Sequence, residues 1–189
     1  WRNGPVCPRL IGTTVSTMSN SPEVVITGLG VVSPIGVGRQ AFSDALAAGA
    51  SGVGLIERFD PSRLVSRLGG EIRNFEPKAH VRPIKSLKVM CRDIQLGVAA
   101  AALAIADCGL ALAELDPERR GVVMGAELMP CEPAEVQLAY RACLTDGAFD
   151  FSRWGTAGLG EFYPLWMLKY LPNMPACHIA IAHDCRGPN

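Results

Sequence analysis

Apolar and polar positions along the chain fall into two rhythms that alternate with each other. Glu23 to Gly28 (EVVITG) is a β-branched run closed by glycine, the pattern of a buried strand. Val37, Ala41, Phe42, Ala45 and Leu46 then recur at helical spacing, with Arg39, Gln40, Ser43 and Asp44 on the opposite side and Gly49 as the stop. Gly69 to Arg73 (GGEIR) predicts a second strand between the loops at Phe59 to Ser62 and Asn74 to Pro77. From Ser86, read as an N-cap, Leu87, Cys91, Ile94, Val98, Ala101 and Ile105 form one stripe up to Gly109, which predicts a helix of about 30 Å. Its Gly97 to Ala106 portion is small in side chain, so a neighbour can approach the backbone closely. Arg120 to Gly125 (RGVVMG) predicts a third strand, Glu132 to Ala142 and Glu161 to Tyr170 predict helices, and Ala176 to His183 alternates as a fourth strand would. Strands interleaved with helices over the whole length predict an α/β layered fold.

Composition narrows this picture without changing it. With 189 residues, 49% of them hydrophobic and 19% charged, the chain is an ordinary globular sequence that buries a core without staples. Eighteen Lys and Arg against eighteen Asp and Glu leave no global field for nucleic acid or an anionic bilayer, so an anionic partner must meet a local patch. The seven cysteines are odd in number and contain no CxxC pair, which points to reduced thiols in a cytoplasm and away from a disulfide scaffold or a zinc ribbon. The longest apolar run, Val98 to Ala106, is far too short to span a bilayer. Residues 1–17 lack a methionine and an apolar core segment and do not read as a signal peptide; they are expected to be a non-native or disordered extension, with Met18 as the natural start. At the other end, the chain stops at Gly187-Pro188-Asn189, directly after the fourth predicted strand, where α/β proteins place a site-bearing loop, and this reads as truncation.

Three clusters invite a chemical reading. Gly28-Leu29-Gly30 follows a strand as a dinucleotide-binding turn would, but Ser33 stands at the third glycine position and Pro34 removes an N–H, so a structural glycine turn is favoured. Cys177, His178, His183 and Cys185 hold metal-ligand chemistry. On a strand Cys177, His183 and Cys185 would share a face, yet they are spread too far along it to converge on one ion, and ordinary packing is favoured. Arg82, Lys85, Lys88 and Arg92 form a basic cluster at a loop and helix start; it is either a solvated face or a docking site for an acidic or phosphorylated partner. No GxSxG elbow and no P-loop is present.

VVITGLGVVSPIG (Val24 to Gly36) resembles the opening of the β-ketoacyl synthases, condensing enzymes of the thiolase-like fold. ASGVGLIERFDPS, LGGEIRNFEP, KSLKVMCRDIQLGVAAAALAIADCGL, RGVVMG and PNMPACHIAIAHDCRGPN follow in that family's order, so residues 18–189 are identified as an incomplete N-terminal domain of such a protein. The resemblance implies decarboxylative condensation of an acyl group with malonyl on an acyl carrier protein. It also implies a homodimer or a heterodimer with a related subunit, no metal and no organic cofactor, a cytoplasmic setting, and neither nucleic acid nor membrane as partner. The family's nucleophilic cysteine lies a few residues beyond the GPN-like stretch, and its two histidines lie in the C-terminal half. The catalytic group is therefore expected to be absent here and the fragment inactive, with Cys177 and Cys185 no substitutes.

Two departures mark an atypical branch. The run Gly125-Ala126-Glu127-Leu128-Met129-Pro130 replaces a glycine-rich stretch, which places Leu128 at the acyl-pocket gate and predicts a reshaped pocket. The usual Met-Asp-Arg reads Met90-Cys91-Arg92-Asp93. By the same resemblance Trp166 and Met167 would approach the pocket across a dimer interface, the alternative being plain core or interface packing. The alternative reading is a non-catalytic partner resembling a chain-length factor, which keeps the fold and lacks the nucleophile.

Overall fold

The computed structural model describes residues 23–126 and 130–189. Two of the predicted elements form as the pattern expects. Helix α1, Arg39–Ala47, follows a tight hairpin of β1 (Val32–Ser33) and β2 (Gly36–Val37), and ends where Gly49 takes φ 65° and bonds back to the Leu46 carbonyl. Helix α4, Pro133–Ala142, starts with proline in its first turn, where the missing N–H costs nothing.

The second strand is shifted. A hairpin of β3 (Val53–Leu55) and β4 (Leu68–Gly70) pairs Val53 with Gly70 and Leu55 with Leu68, so only the first two residues of the expected Gly69 to Arg73 strand lie in a ladder. Glu71 ends it by turning its carboxylate onto the Glu57 and Arg58 amides, at 3.1 and 3.0 Å, and so pins the long loop between the two strands.

The long helix is shorter than predicted, and Ser86 does not cap it. A single turn, α2 (Pro77–His80), and a 3-10 helix (Ile84–Val89) come first; Met90 is then extended, Cys91 is the cap residue, and α3 runs over Arg92–Cys108. The core claims Met90, 5% exposed, and drawing that side chain inward interrupts the helix. Gly109 closes α3 at φ 67°, as expected.

The other strand predictions are corrected. Residues 23–28 and 120–125 have no ladder among the described residues, and Val24, Ile26 and Val123 are almost fully exposed. A β-branched run favours an extended backbone, but a strand needs a neighbour's backbone as well. Ala176 to His183 is not a strand but most of α5, Met174–His183. Eight residues that are apolar apart from two histidines do not distinguish a buried helix from a strand; the helix has Pro175 in its first turn and Asp184 as a left-handed cap. Glu161 to Tyr170 forms only a 3-10 turn at Trp166–Lys169, because Pro164 disfavours helix in the residue before it. A third small hairpin, β5 (Leu144–Thr145) with β6 (Ala148–Phe149), precedes it.

The core lies where α3 crosses α5: Val81, Met90, Cys91, Ile94, Val98 and Ile179 form one buried cluster. The small stripe of α3 works as the sequence suggests. A Cβ on Gly28 or Gly30 would collide with the backbone of Ala104 or Ala100, so these glycines exist to let the chain lie against the helix. Asp107 locks that contact, accepting from the Leu29 amide at 3.0 Å and pairing with Arg39 at 2.7 Å. Both bonds hold its carboxyl below the usual range, that of Arg39 most strongly. The turn that resembles a dinucleotide site is therefore occupied by the protein's own helix.

Candidate functional site

The basic cluster divides into two kinds of cation. Arg82 folds its guanidinium back onto the Lys78 and Val81 carbonyls at the end of α2, and Arg92 donates to the Ile72 carbonyl at 2.8 Å while lying 5.6 Å above the Phe75 ring. Burial lowers the Arg92 pKa, and the nearby positive charge of Arg58 adds to this. Lys85 and Lys88, on the 3-10 helix, are exposed and have no carboxylate partner among the described residues. They sit within a longer basic stretch: from Glu57 to Asp93 the sequence has Arg58, Arg63, Arg67, Arg73, Lys78, Arg82, Lys85, Lys88 and Arg92 against only Glu57, Asp60, Glu71, Glu76 and Asp93. A neutral chain thus carries a local positive field, which whole-chain charge hides.

Trp166 and Met167 share one apolar cleft of about 350 Å³ with Trp154, Leu159, Phe162, Tyr163 and Pro164. Its wall is part of a run of aromatic contacts. Trp154 meets Phe162 edge-on at 5.7 Å, Phe162 meets Trp166 at 4.6 Å, and Trp166 meets Tyr170 at 5.1 Å. The turn bearing them is held to α4 by Glu135, which pairs with Lys169 at 2.8 Å and accepts from the Tyr170 hydroxyl at 3.0 Å. Burial, helped by the negative charge of Glu135, pushes the Tyr170 pKa up to about 12. The indole N–H of Trp166 is buried without a partner among the described residues. Leu128, the predicted gate, lies outside the described residues.

The cysteine and histidine cluster does not gather. Cys177 and His178 are on α5, His183 is in its last turn and Cys185 lies beyond the cap, so the shared strand face expected for three of them does not exist. Among the described residues no group of three or more His, Cys, Asp or Glu side chains converges as a metal site would require. Burial lowers the pKa of both His178 and His183, with the Val89 carbonyl opposing it at His178. Burial raises the thiol pKa of Cys91 and of Cys185, although Arg120 partly offsets it at Cys185, and neither is activated as a nucleophile.

The sequence reading missed the residues that hold these parts in place: Glu71 in the hairpin, Glu135 beneath the aromatic turn, and Arg120 at the end of α5. Each acts on a residue distant in sequence. For Glu71 and Glu135 the local signal was an ionisable residue beside apolar ones; Arg120, next to Glu118 and Arg119, carried none.

Residues 21–189 match the family model described as the N-terminal domain of β-ketoacyl synthases. The chain belongs to this family. It is 35% identical over 169 residues to the 3-oxoacyl-[acyl-carrier-protein] synthase 2 of Coxiella burnetii, which covers 88% of this chain and 37% of that protein. It is 40% identical over 109 residues to the tetracenomycin polyketide synthase ketoacyl synthase beta subunit of Streptomyces glaucescens, covering 58% and 26% respectively. The structure is similar to that of the ishigamide ketosynthase/chain length factor, with a TM-score of 0.66 and 25% identity over 87% of this chain and 38% of that one. The chain therefore matches between about a quarter and little more than a third of the length of these relatives. The mixed helix-and-sheet arrangement is that of the N-terminal part of the ketosynthase fold, and the thiolase-like expectation holds at that level.

Proposed function

We propose that the whole protein is a condensing enzyme of fatty acid or polyketide synthesis, and that this domain supplies its carrier-protein docking face and part of its acyl pocket. The observation that carries the reading is the family match across residues 21–189. In the reaction a cysteine thiolate beyond Asn189 attacks an acyl thioester on the carrier protein. The acyl–sulfur bond to the carrier breaks, and the released thiol takes a proton. Malonyl thioester then loses carbon dioxide, and the resulting enolate attacks the enzyme-bound acyl carbonyl and expels the cysteine thiolate. Atoms and charges balance without a metal or an organic cofactor.

Lys85 and Lys88 are the charges offered to an acidic carrier protein, since no carboxylate within the described residues engages them. Arg82 and Arg92 shape that face, because their guanidinium groups are already held by carbonyls. Trp166 and Met167 border an apolar cleft suited to an acyl chain, and Leu128 is assigned to its gate. The working form is a cytoplasmic dimer with itself or with a related subunit, and neither nucleic acid nor membrane is a partner. Among the described residues no helix is long and apolar enough to cross a membrane.

A chain-length-factor-like partner is the second reading, supported by the similarity to the ishigamide ketosynthase/chain length factor. One experiment separates the two. The whole protein, purified with an acyl carrier protein, is incubated with acyl thioester and digested for mass mapping. A condensing enzyme acylates one cysteine beyond Asn189 and releases carbon dioxide from malonyl thioester, and in the same assay Lys85→Glu with Lys88→Glu slows acylation most at low salt. Trp166→Ala should change product chain length. Absence of any acylated cysteine refutes the enzyme and leaves the partner subunit, whereas unchanged salt dependence or an unchanged product profile removes the docking or pocket assignment.

A further inference from the structure

The chain leaves α5 through a turn that is stitched to residues 117–122. Asp184 takes φ 48°, and the Cys185 amide bonds back to the Ala180 carbonyl at 2.9 Å. The Arg186 amide then donates to the Pro117 carbonyl and that of Gly187 to the Arg120 carbonyl, each at 2.9 Å, while the Val122 amide donates to the Pro188 carbonyl at 3.1 Å. Close approach here depends on two glycines. A Cβ on Gly121 would meet the Pro188 carbonyl, and one on Gly187 would meet the carbonyls of Glu118 and Arg120.

Arg120 ties this junction to the helix from the side. Its Nη1 donates to the His183 carbonyl at 2.9 Å and its Nη2 to the Leu115 carbonyl at 2.6 Å. One planar group therefore bridges the last residue of α5 and the loop ahead of residues 117–119. Its Nε is sealed from solvent, and a cation at the C-terminal end of a helix is favourably placed. The three backbone bonds set the direction of the chain at Gly187, and the guanidinium fixes the segment that makes them relative to α5.

We propose that Arg120 is a positioning residue for the condensation: it sets the line along which the chain leaves α5, and with it the place of the nucleophilic sulfur carried beyond Asn189. This rests on the condensing reading above. An angular error at the junction displaces later atoms in proportion to their distance from it, which grows by about 3.3 Å per extended residue, and a misplacement of about 1 Å at a reacting atom is enough to cost a hundredfold in rate. Lysine cannot replace arginine here, because a single ammonium on a flexible stem does not bridge two carbonyls as a planar fork does.

The test uses the whole protein with Arg120→Gln, Arg120→Lys and, as a control on the same turn, the exposed Arg119→Ala. Acylation of the cysteine by an acyl thioester, its alkylation by iodoacetamide as a function of pH, and decarboxylation of malonyl thioester are measured on each. Both Arg120 variants should slow acylation by about tenfold to a hundredfold and shift the alkylation profile, while decarboxylation, which does not use the sulfur, stays near the control. Acylation at the control rate overturns the proposal, as does a parallel fall of both activities with the melting temperature. Amide exchange at Gly187 and Val122 tests the positioning separately and should quicken in Arg120→Gln; unchanged exchange sinks it. A wild-type protein that never acylates a cysteine instead overturns the condensing reading and the catalytic consequence drawn from it.

Discussion

The helical pair α3 and α5 and the two ladderless segments, residues 23–28 and 120–125, are built from similar residues and end in opposite states. Ile94 and Val98 in the helix pair are 0% and 1% exposed, whereas Val24 and Val123 are 92% and 95% exposed. Helices meet their backbone requirements internally and need only a facing surface, which each of these two provides for the other. A strand's amides and carbonyls need another strand, and its side chains need a second layer. The contrast therefore lies in partners, not in hydrophobicity, and it separates what this chain stabilises by itself from what it offers to other protein.

The largest effect is expected when the chain is made alone. Residues 1–189 should form soluble aggregates or fail to accumulate, since Val24, Ile26 and Val123 stand in water on segments that have no ladder among the described residues. Light scattering coupled to gel filtration measures this. Replacing Val24, Ile26 and Val123 with threonine together should lower the aggregate mass, and a sharply melting monomer of the unaltered chain would break the comparison. In the whole protein the helix pair is the region to perturb. Ile94→Ala should destabilise by about 3 kcal/mol in urea unfolding, through lost transfer energy and the cavity left at α3. A loss below about 1 kcal/mol would mean that the α3 and α5 contact is not the core it resembles.

The same contrast explains what could be read from the sequence. Local stops were legible: Gly49 and Gly109 end helices because a left-handed residue is needed at those points, and Pro133 opens α4. The small stripe of α3 correctly foretold a close neighbour, and the ordered segments of the family gave the fold class. Elements whose identity depends on a distant partner were not legible. Ala176 to His183 is apolar apart from two histidines, so the packing of α5 against α3 decides it, and the strand pattern at Glu23 to Gly28 states a preference that no ladder among the described residues fulfils. At the site, the basic cluster was visible as a list of cations. That Arg92 turns toward the Ile72 carbonyl while Lys85 meets no carboxylate among the described residues was not, because a side chain's partner depends on the fold and not on spacing. Trp166 and Met167 were singled out together and do share a cleft, but the aromatic neighbours that shape it come from residues 154–163.

The smallest effect sharpens the comparison, because it tests whether the helix pair excludes water at its edge as well as at its centre. His178 lies on α5 beside the 3-10 helix that carries Lys85 and Lys88, and burial holds its pKa below the ordinary 6.5, against the pull of the Val89 carbonyl. His183 is lowered by burial in the same way. Each imidazole is thus a weaker base folded than unfolded, and below about pH 6.5 the unfolded chain binds more protons than the native one. Stability should be constant from these groups above that pH and should fall as the solution is acidified through the interval between the unfolded and folded values. In the whole protein, His178→Gln keeps a donor for the Val89 carbonyl but cannot titrate, so the urea midpoint should lose part of its slope between pH 6.5 and 5. His183 remains to supply the rest. A slope that is unchanged in the variant would mean that His178 is as wet as the exposed segments. The boundary between the two regions would then run through α5 and not along its outer edge.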